Sequence, residues 1–486
     1  MIRCLSHKVG SGGGRMYFHG KGQSRSFKKT RIQNLKSMLS MVLLAVFLFV
    51  IPVDEQWLWA AESLSQPDAA DVQLAYKQSK FEDVLNLLEK LSKDELASVS
   101  LQRLKILSFA RLGKTSESIQ AYEKVVKTTG RENEPLLREL AVSVILPFRA
   151  DMREQIRGAA YTALKEIHSE DMVPHLEEGL GDGSGMIRAL AAEGLAGLES
   201  GQKSKRFLLG LKDKAGLVRA TVLKGLGRSG DRASHSFIRP FLDDEQVIVQ
   251  VAAAGAMINL GHAEFWKHVQ KSAQQNEGYE RGAAFRVLGE LGDTRSIEIL
   301  EKGLRDRQPS IRGAAAASLG KSQMAEAIPL LLSALYEKSP AVRSIAAVSL
   351  GKLKAEKAVP ALTKTLQDSN PGVRAASVAA LLHLSSPFSL VAQTVSELVP
   401  DKNPGIRSGI AKALENGQGR DVIGTLFLLL KDPVPKPRIT AARSLGRIGS
   451  RQALSRLKLA LRDQDEAVRA TVAAAIVRVL SRPNKL

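Results

Sequence analysis

The chain has 486 residues, 70 Lys+Arg against 50 Asp+Glu, one cysteine and 5% aromatic residues. One cysteine excludes a disulfide scaffold or a cysteine-rich zinc site, the supply of Leu, Ile, Val and Ala excludes a disordered chain, and few aromatics argue against a carbohydrate cleft or a base-stacking platform. The length suits two to four domains or one repeat array, and the net charge of +20 points to an anionic partner until it is divided by segment.

Residues 1–61 hold nine Lys/Arg and two acids. A basic stretch leads into the apolar run Met41–Val53, and small residues follow at Ala60 and Ala61. Basic flank, short apolar core and small-residue exit are the pattern of a secretory signal. The run has 13 residues, and a bilayer span needs about 20. A cleaved signal is therefore expected first and an uncleaved N-terminal anchor second. Either places the protein in the periplasm, or membrane-anchored and facing it. The start codon could also lie downstream, at Met16.

Residues 62–150 read as helical hairpins. Ala75–Leu91 and Ala110–Val126 share one plan, helix, turn, amphipathic helix, with turn residues Ser79 and Gly113 spaced by 34. That period, the turn glycine and Tyr122 resemble the tetratricopeptide family. The segment has 13 basic and 13 acidic residues and adds no net charge.

From Asp151 onward the chain is periodic. Arginine recurs as Arg157, Arg188, Arg219, Arg281, Arg312, Arg343, Arg374, Arg407, Arg438 and Arg469, with Gln250 filling one slot. The step is 31 residues throughout, except for 33 between Arg374 and Arg407. An acid stands six residues earlier: Asp151, Asp182, Asp213, Asp244, Asp306, Glu337, Asp368, Asp401, Asp432 and Asp463, with Gln275 in the remaining slot. Ile or Val precedes the arginine slot in nine of eleven copies, and Leu follows seven later in nine. Positions −1, +3, +7 and +10 lie on one helical face, and the small residues between them permit close helix approach. A second amphipathic helix completes each copy, with Pro174, Pro329 and Pro360 suited to its first turn. Two short helices bury their apolar faces only by stacking on neighbours. The expected fold is all-α, an α-solenoid of eleven repeats over 151–486.

The Asp-x-x-x-x-Val-Arg pattern, the alanine-rich run and Leu-Gly resemble the HEAT repeat family, most nearly the short HEAT-like repeats of phycobilisome lyases. The ladder of acids and arginines is expected to be structural, with aspartate capping the helix start and arginine bridging to an acid. Gln250 and Gln275 belong to consecutive copies. Pairing between copies matches these two neutral residues, whereas pairing within a copy strands Asp244 and Arg281. The ladder is therefore expected to run between copies, for example from Arg219 to Asp244.

The repeats hold 48 basic and 35 acidic residues, so their surplus of 13 lies outside the balanced ladder. Positions +5 and +9 carry Lys224, Arg228, Arg286, Lys321, Lys352, Lys412, Arg443, Arg447 and Arg478. The resemblance implies that the arginine-bearing helix lines the concave surface. Lys321, Lys352, Lys412, Arg443, Arg447 and Arg478 are thus candidate groove residues, the last three with Lys412 as one basic stripe. The bland alternative is a solvated charged face. The 33-residue step is expected to bend the superhelix within 385–400.

No catalytic, cofactor-binding or metal-ligating residue is singled out. The histidines form no His-Glu-x-x-His motif, and Gly225-Leu-Gly-Arg-Ser-Gly230 sits at a helix end rather than after a strand, where C-cap and turn explain its glycines. The expected function is a non-enzymatic scaffold of the bacterial cell envelope, with no cofactor, binding protein partners with acidic segments along its groove. A chromophore lyase or chaperone is the alternative that the resemblance implies. A basic-groove nucleic-acid binder is the alternative for a cytosolic chain, and an envelope protein touching anionic lipid or peptidoglycan is a third. No specific nucleic acid is expected, and the N-terminal segment is the expected place of any membrane anchoring.

Overall fold

A computed structural model describes residues 67–275 and 277–482. The expected leader or anchor at 1–61 lies outside the described residues. Among the described residues there is no strand, and no helix is long and apolar enough to cross a membrane.

Helices Ala69–Lys77 and Phe81–Lys90 make one hairpin, and Val99–Arg111 with Thr115–Thr129 make the next. Ser79 and Gly113 turn the chain in the left-handed region, at φ 59° and 74°. The first hairpin encloses a small core of Val72, Val84 and Leu88 with Leu101 and Leu104. Ile119 and Tyr122 of the second join the long core that runs through the rest of the unit. Helix Glu134–Ile145 then leads into the repeats.

Each repeat carries its arginine slot on a long helix, from Glu154–Ile167 in copy 1 to Glu466–Leu480 in copy 11. Successive arginine-bearing helices pack side by side. Glycine at position +8 sets how closely they approach. A Cβ on Gly227 would stand 2.6 Å from Ala256 Cα, and one on Gly446 2.7 Å from Ala475 Cα. Gly289 and Gly351 meet Ser318 and Ala380 in the same way. The Leu-Gly element of the repeat thus combines a core leucine with a backbone-to-backbone contact. Gly227 is a packing residue of this kind inside helix Gly216–Ser229, Gly225 there makes room for the Phe207 ring and Ala196, and Gly230 acts as the expected C-cap, at φ 69°.

The arginine ladder runs between copies. Arg219 contacts Asp244 at 2.7 Å, and Arg188 grips Asp213 with two bonds of 2.6 and 2.8 Å. Arg157–Asp182, Arg281–Asp306, Arg312–Glu337, Arg343–Asp368, Arg407–Asp432 and Arg438–Asp463 repeat the pairing. Each guanidinium also donates back to the main-chain carbonyl six residues before it, as Arg219 Nη1 does to Asp213 and Arg281 Nη1 to Gln275, both at 2.8 Å. Among the described residues the Gln250 side chain keeps only this second bond, to the Asp244 carbonyl at 2.6 Å.

The expected aspartate cap is corrected. The N-cap lies two residues further on, at Ser184, Ala215, Asn370 or Asp465. The ladder acid instead closes a short turn before it, as Asp182 Oδ1 accepts the Ser184 amide at 2.8 Å. One carboxylate therefore shapes the entry turn and receives the preceding copy's arginine.

The 33-residue step lengthens the outer helix Phe388–Leu398 to 11 residues, against 7 in Val359–Thr365. Its cost is one rung. Arg374 makes no ion pair among the described residues and donates only to the Asp368 carbonyl, at 3.0 Å. The Asp401 carboxylate makes no ion pair among the described residues and accepts the Asn403 amide of its own turn.

The stack of repeats closes on itself. The last helix, Glu466–Leu480, packs against Glu134–Ile145 and Glu154–Ile167. Ala470 through Val477 are all buried, so this helix is covered on both flanks. Arg469 makes no ion pair among the described residues, and its guanidinium lies over the Phe148 ring, 5.4 Å from the centroid. Around this seam Arg153 meets Glu466 at 3.3 Å, Arg462 meets Glu123 at 2.9 Å, and Arg451 and Lys458 reach Glu134 and Glu132. With neighbours about 8–10 Å apart, eleven helix axes make a circle of roughly 14–18 Å radius.

Candidate functional site

The arginine-bearing helices form the inner wall of this ring. Lys224 Nζ of copy 3 lies 3.5 Å from Glu290 of copy 5, and Arg443 of copy 10 lies 2.6 Å from Glu166 of copy 1. Side chains two copies apart meet across an intervening helix only on a concave side. Positions +5 and +9 therefore face inward.

The six candidate groove residues share this wall, in different electrostatic settings. Lys412 is exposed and makes no ion pair among the described residues. Lys321 lies 3.7 Å from Glu290. Burial lowers the pKa of Lys352, and the neighbouring charges of Lys321 and Lys412 lower it further. Arg447 is paired with Glu415 at 2.6 Å. Burial also lowers the pKa of Arg478, whose Nη1 donates to the Glu166 carbonyl at 3.3 Å. Carboxylates interrupt the expected basic stripe: Arg443 pairs with Glu166 and Arg447 with Glu415, and ring closure brings Glu166 against the last two copies.

The carboxylates of the wall, Glu166, Glu290 and Glu415, escaped the sequence reading, which followed cations alone. Glu166 and Glu290 occupy the same +9 position as the lysines and were visible there. Glu290 sits among three cations, Lys224, Arg228 and Lys321, at 3.5 to 3.7 Å. Burial lowers the pKa of Lys224, and Glu290 partly restores it. Nine cations thus face three acids along the wall, and Glu193 is matched separately by Lys165.

Between copies 7 and 10 the wall opens into a trough of about 440 Å³. Its floor is small, Ala375, Ala376, Ala379, Gly405 and Gly409, and Lys352, Lys412 and Arg447 stand at one end. A floor made largely of alanine and glycine lets a bound main chain approach the helices between Val348, Ile406 and His383, while long cations reach it from the rim.

The repeat geometry and the closed inner wall define an all-α solenoid. A family model described as HEAT repeats matches residues 269–350, 329–415 and 391–477. The repeats over 269–477 are HEAT repeats. No curated protein matches the sequence. Among solved structures, the CpcE–CpcF phycocyanin lyase complex of Nostoc sp. PCC7120 is 20% identical, with 43% of this chain and 92% of that chain aligned at a TM-score of 0.34. Human deoxyhypusine hydroxylase is 18% identical over 52% of this chain and 98% of its own, at 0.27. Kap95p bound to RanGDP is 11% identical over 86% of this chain and 65% of its own, at 0.34.

Proposed function

We propose that this HEAT-repeat scaffold is a non-enzymatic binding protein that holds an acidic segment of a partner protein against its inner wall. The observation that carries this reading is the surplus of cations over carboxylates around a trough of small residues. Lys321, Lys352, Lys412 and Arg286 supply uncommitted or weakly committed charge. Arg443 and Arg447, already engaged, hold the wall in shape. A flexible acidic segment suits such a wall because its charges can adjust to the lysine positions.

The test is fluorescence anisotropy with a labelled glutamate-rich peptide. Substituting Lys321, Lys352 and Lys412 together by alanine is expected to weaken binding at least about tenfold, with a shallower salt dependence. Unchanged affinity in that variant overturns the reading. The proposed setting, the bacterial envelope, rests on the composition of residues 1–61. Fractionation with N-terminal sequencing of the mature protein tests it, and a cytosolic, uncleaved product overturns it.

A further inference from the structure

A second site lies at the rim of copies 9 to 11, and its origin is visible in the chain. The inner helix of copy 9, Pro404–Ala413, has 10 residues, against 13 in Pro371–His383 and 14 in Pro435–Ile448. A 3-10 turn, Leu414–Asn416, follows, and the loop Gly417-Gln-Gly419 leads into the next helix. Gly417 is required by space, since a Cβ there would stand 2.9 Å from Val422. Gly419 is required by conformation, at φ 97°. The shortened helix leaves a cavity of about 840 Å³ beneath the loop of copy 10.

Four arginines line this cavity: Arg420, Arg447, Arg451 and Arg482. Two are committed, Arg447 to Glu415 and Arg451 to Glu134. The other two are not. Among the described residues neither makes an ion pair, and Arg482 donates from Nη1 to the Ile448 carbonyl at 2.7 Å. Glu415 is the one acid of the lining and is neutralised by Arg447. Ile423 and Ile448 add an apolar wall. Guanidinium forks match phosphate oxygens in pairs. Two uncommitted forks call for two such groups, and the volume far exceeds one phosphate while suiting a nucleotide-sized ligand.

We propose that this cavity binds a diphosphate-bearing small molecule, with Arg420 and Arg482 on its phosphates and Ile423 and Ile448 against its organic part. This site adjoins the trough of the inner wall and shares Glu415, Asn416 and Arg447 with it, but Arg420 and Arg482 line only the rim cavity, and the proposal does not depend on the partner reading. Calorimetric titration of the full chain with pyrophosphate tests it. The expected result is one site per chain, displaced by ADP and weakened about tenfold by Arg420→Ala and by Arg482→Ala. Arg420→Lys, which keeps the charge and loses the fork, is expected to weaken it as well, and its unchanged circular dichroism controls for folding. The proposal is overturned by the absence of pyrophosphate binding, by failure of ADP to compete, or by orthophosphate binding as tightly. It is also overturned if affinity is unchanged in both alanine variants, or is lost instead on substituting Lys321 and Lys412.

Discussion

The Arg443 guanidinium stands 2.6 Å from the Glu166 carboxylate, joining the tenth copy of the repeat to the first. The contact spans nearly the whole repeat array and exists only because the stack turns through a full circle. The apolar part of the seam is helix Glu466–Leu480, buried on both flanks. Ion pairs surround it, and exposed pairs of this kind contribute about 0–1 kcal/mol each. Closure therefore rests mainly on apolar burial. Raising the salt concentration is expected to leave the radius of gyration in small-angle scattering unchanged. Ending the chain at Asp465 is expected to increase that radius despite the loss of mass. A salt-driven expansion of the intact protein would contradict this account.

The neutral pair in the ladder offers a direct test of pairing between copies. Gln250 and Gln275 occupy the slots where other copies place arginine and acid. Gln250→Arg alone, or Gln275→Asp alone, introduces a partly buried charge without its partner and is expected to destabilise. The double substitution restores a rung. Its unfolding free energy should exceed the sum of the single effects by about 1–3 kcal/mol. Strict additivity in denaturant titrations would show that the two slots do not meet.

Glycine substitutions should divide by position. Gly227→Ala forces a Cβ to within 2.6 Å of a neighbouring helix backbone. It is expected to cost about 1–3 kcal/mol, as overpacking does. Gly424 lies inside helix Arg420–Leu429 with nothing within 4 Å of a Cβ. Gly424→Ala is expected to stabilise by about 0.5–1 kcal/mol, from helix propensity alone. Thermal unfolding of the two variants should move in opposite directions.

The ladder also predicts how stability responds to acid. Hydrogen bonding from Arg188 holds Asp213 below its ordinary pKa of 3.8, and Arg343 and Arg407 do the same for Asp368 and Asp432. A carboxylate with a depressed folded pKa stabilises fully above its unfolded value, and that contribution is lost as the pH falls through the folded one. The melting temperature should thus be flat near neutrality and drop progressively below about pH 4. Arg188→Gln should lower stability at neutral pH and flatten the acid slope. An acid slope as steep as that of the parent protein would remove Asp213 from the cause.

Much of this architecture was legible because it is repetitive. The spacing of Arg219, Asp244 and the two glutamines contained the pairing rule between copies. The aspartate cap was misplaced because a residue that closes an entry turn and one that caps a helix stand two positions apart and share a chemistry. Closure was hidden for a different reason. It depends on curvature summed over every contact such as Gly227 on Ala256, and a small change per copy decides whether the ends meet. The rim cavity was equally hidden, since Gly417 and Gly419 look like ordinary turn residues until the shortened helix before them is seen.

The seam between the last helix and the first copy makes the inner wall a topological object. A partner with bulky folded domains at both ends of its acidic segment cannot slip sideways onto this wall. It must present a free terminus for threading, or be encircled while the seam is undone. Because all the inner helices run the same way, the two openings are also chemically unlike, with the +9 cations at one and the helix entries at the other, so a threaded chain would meet them in a fixed order.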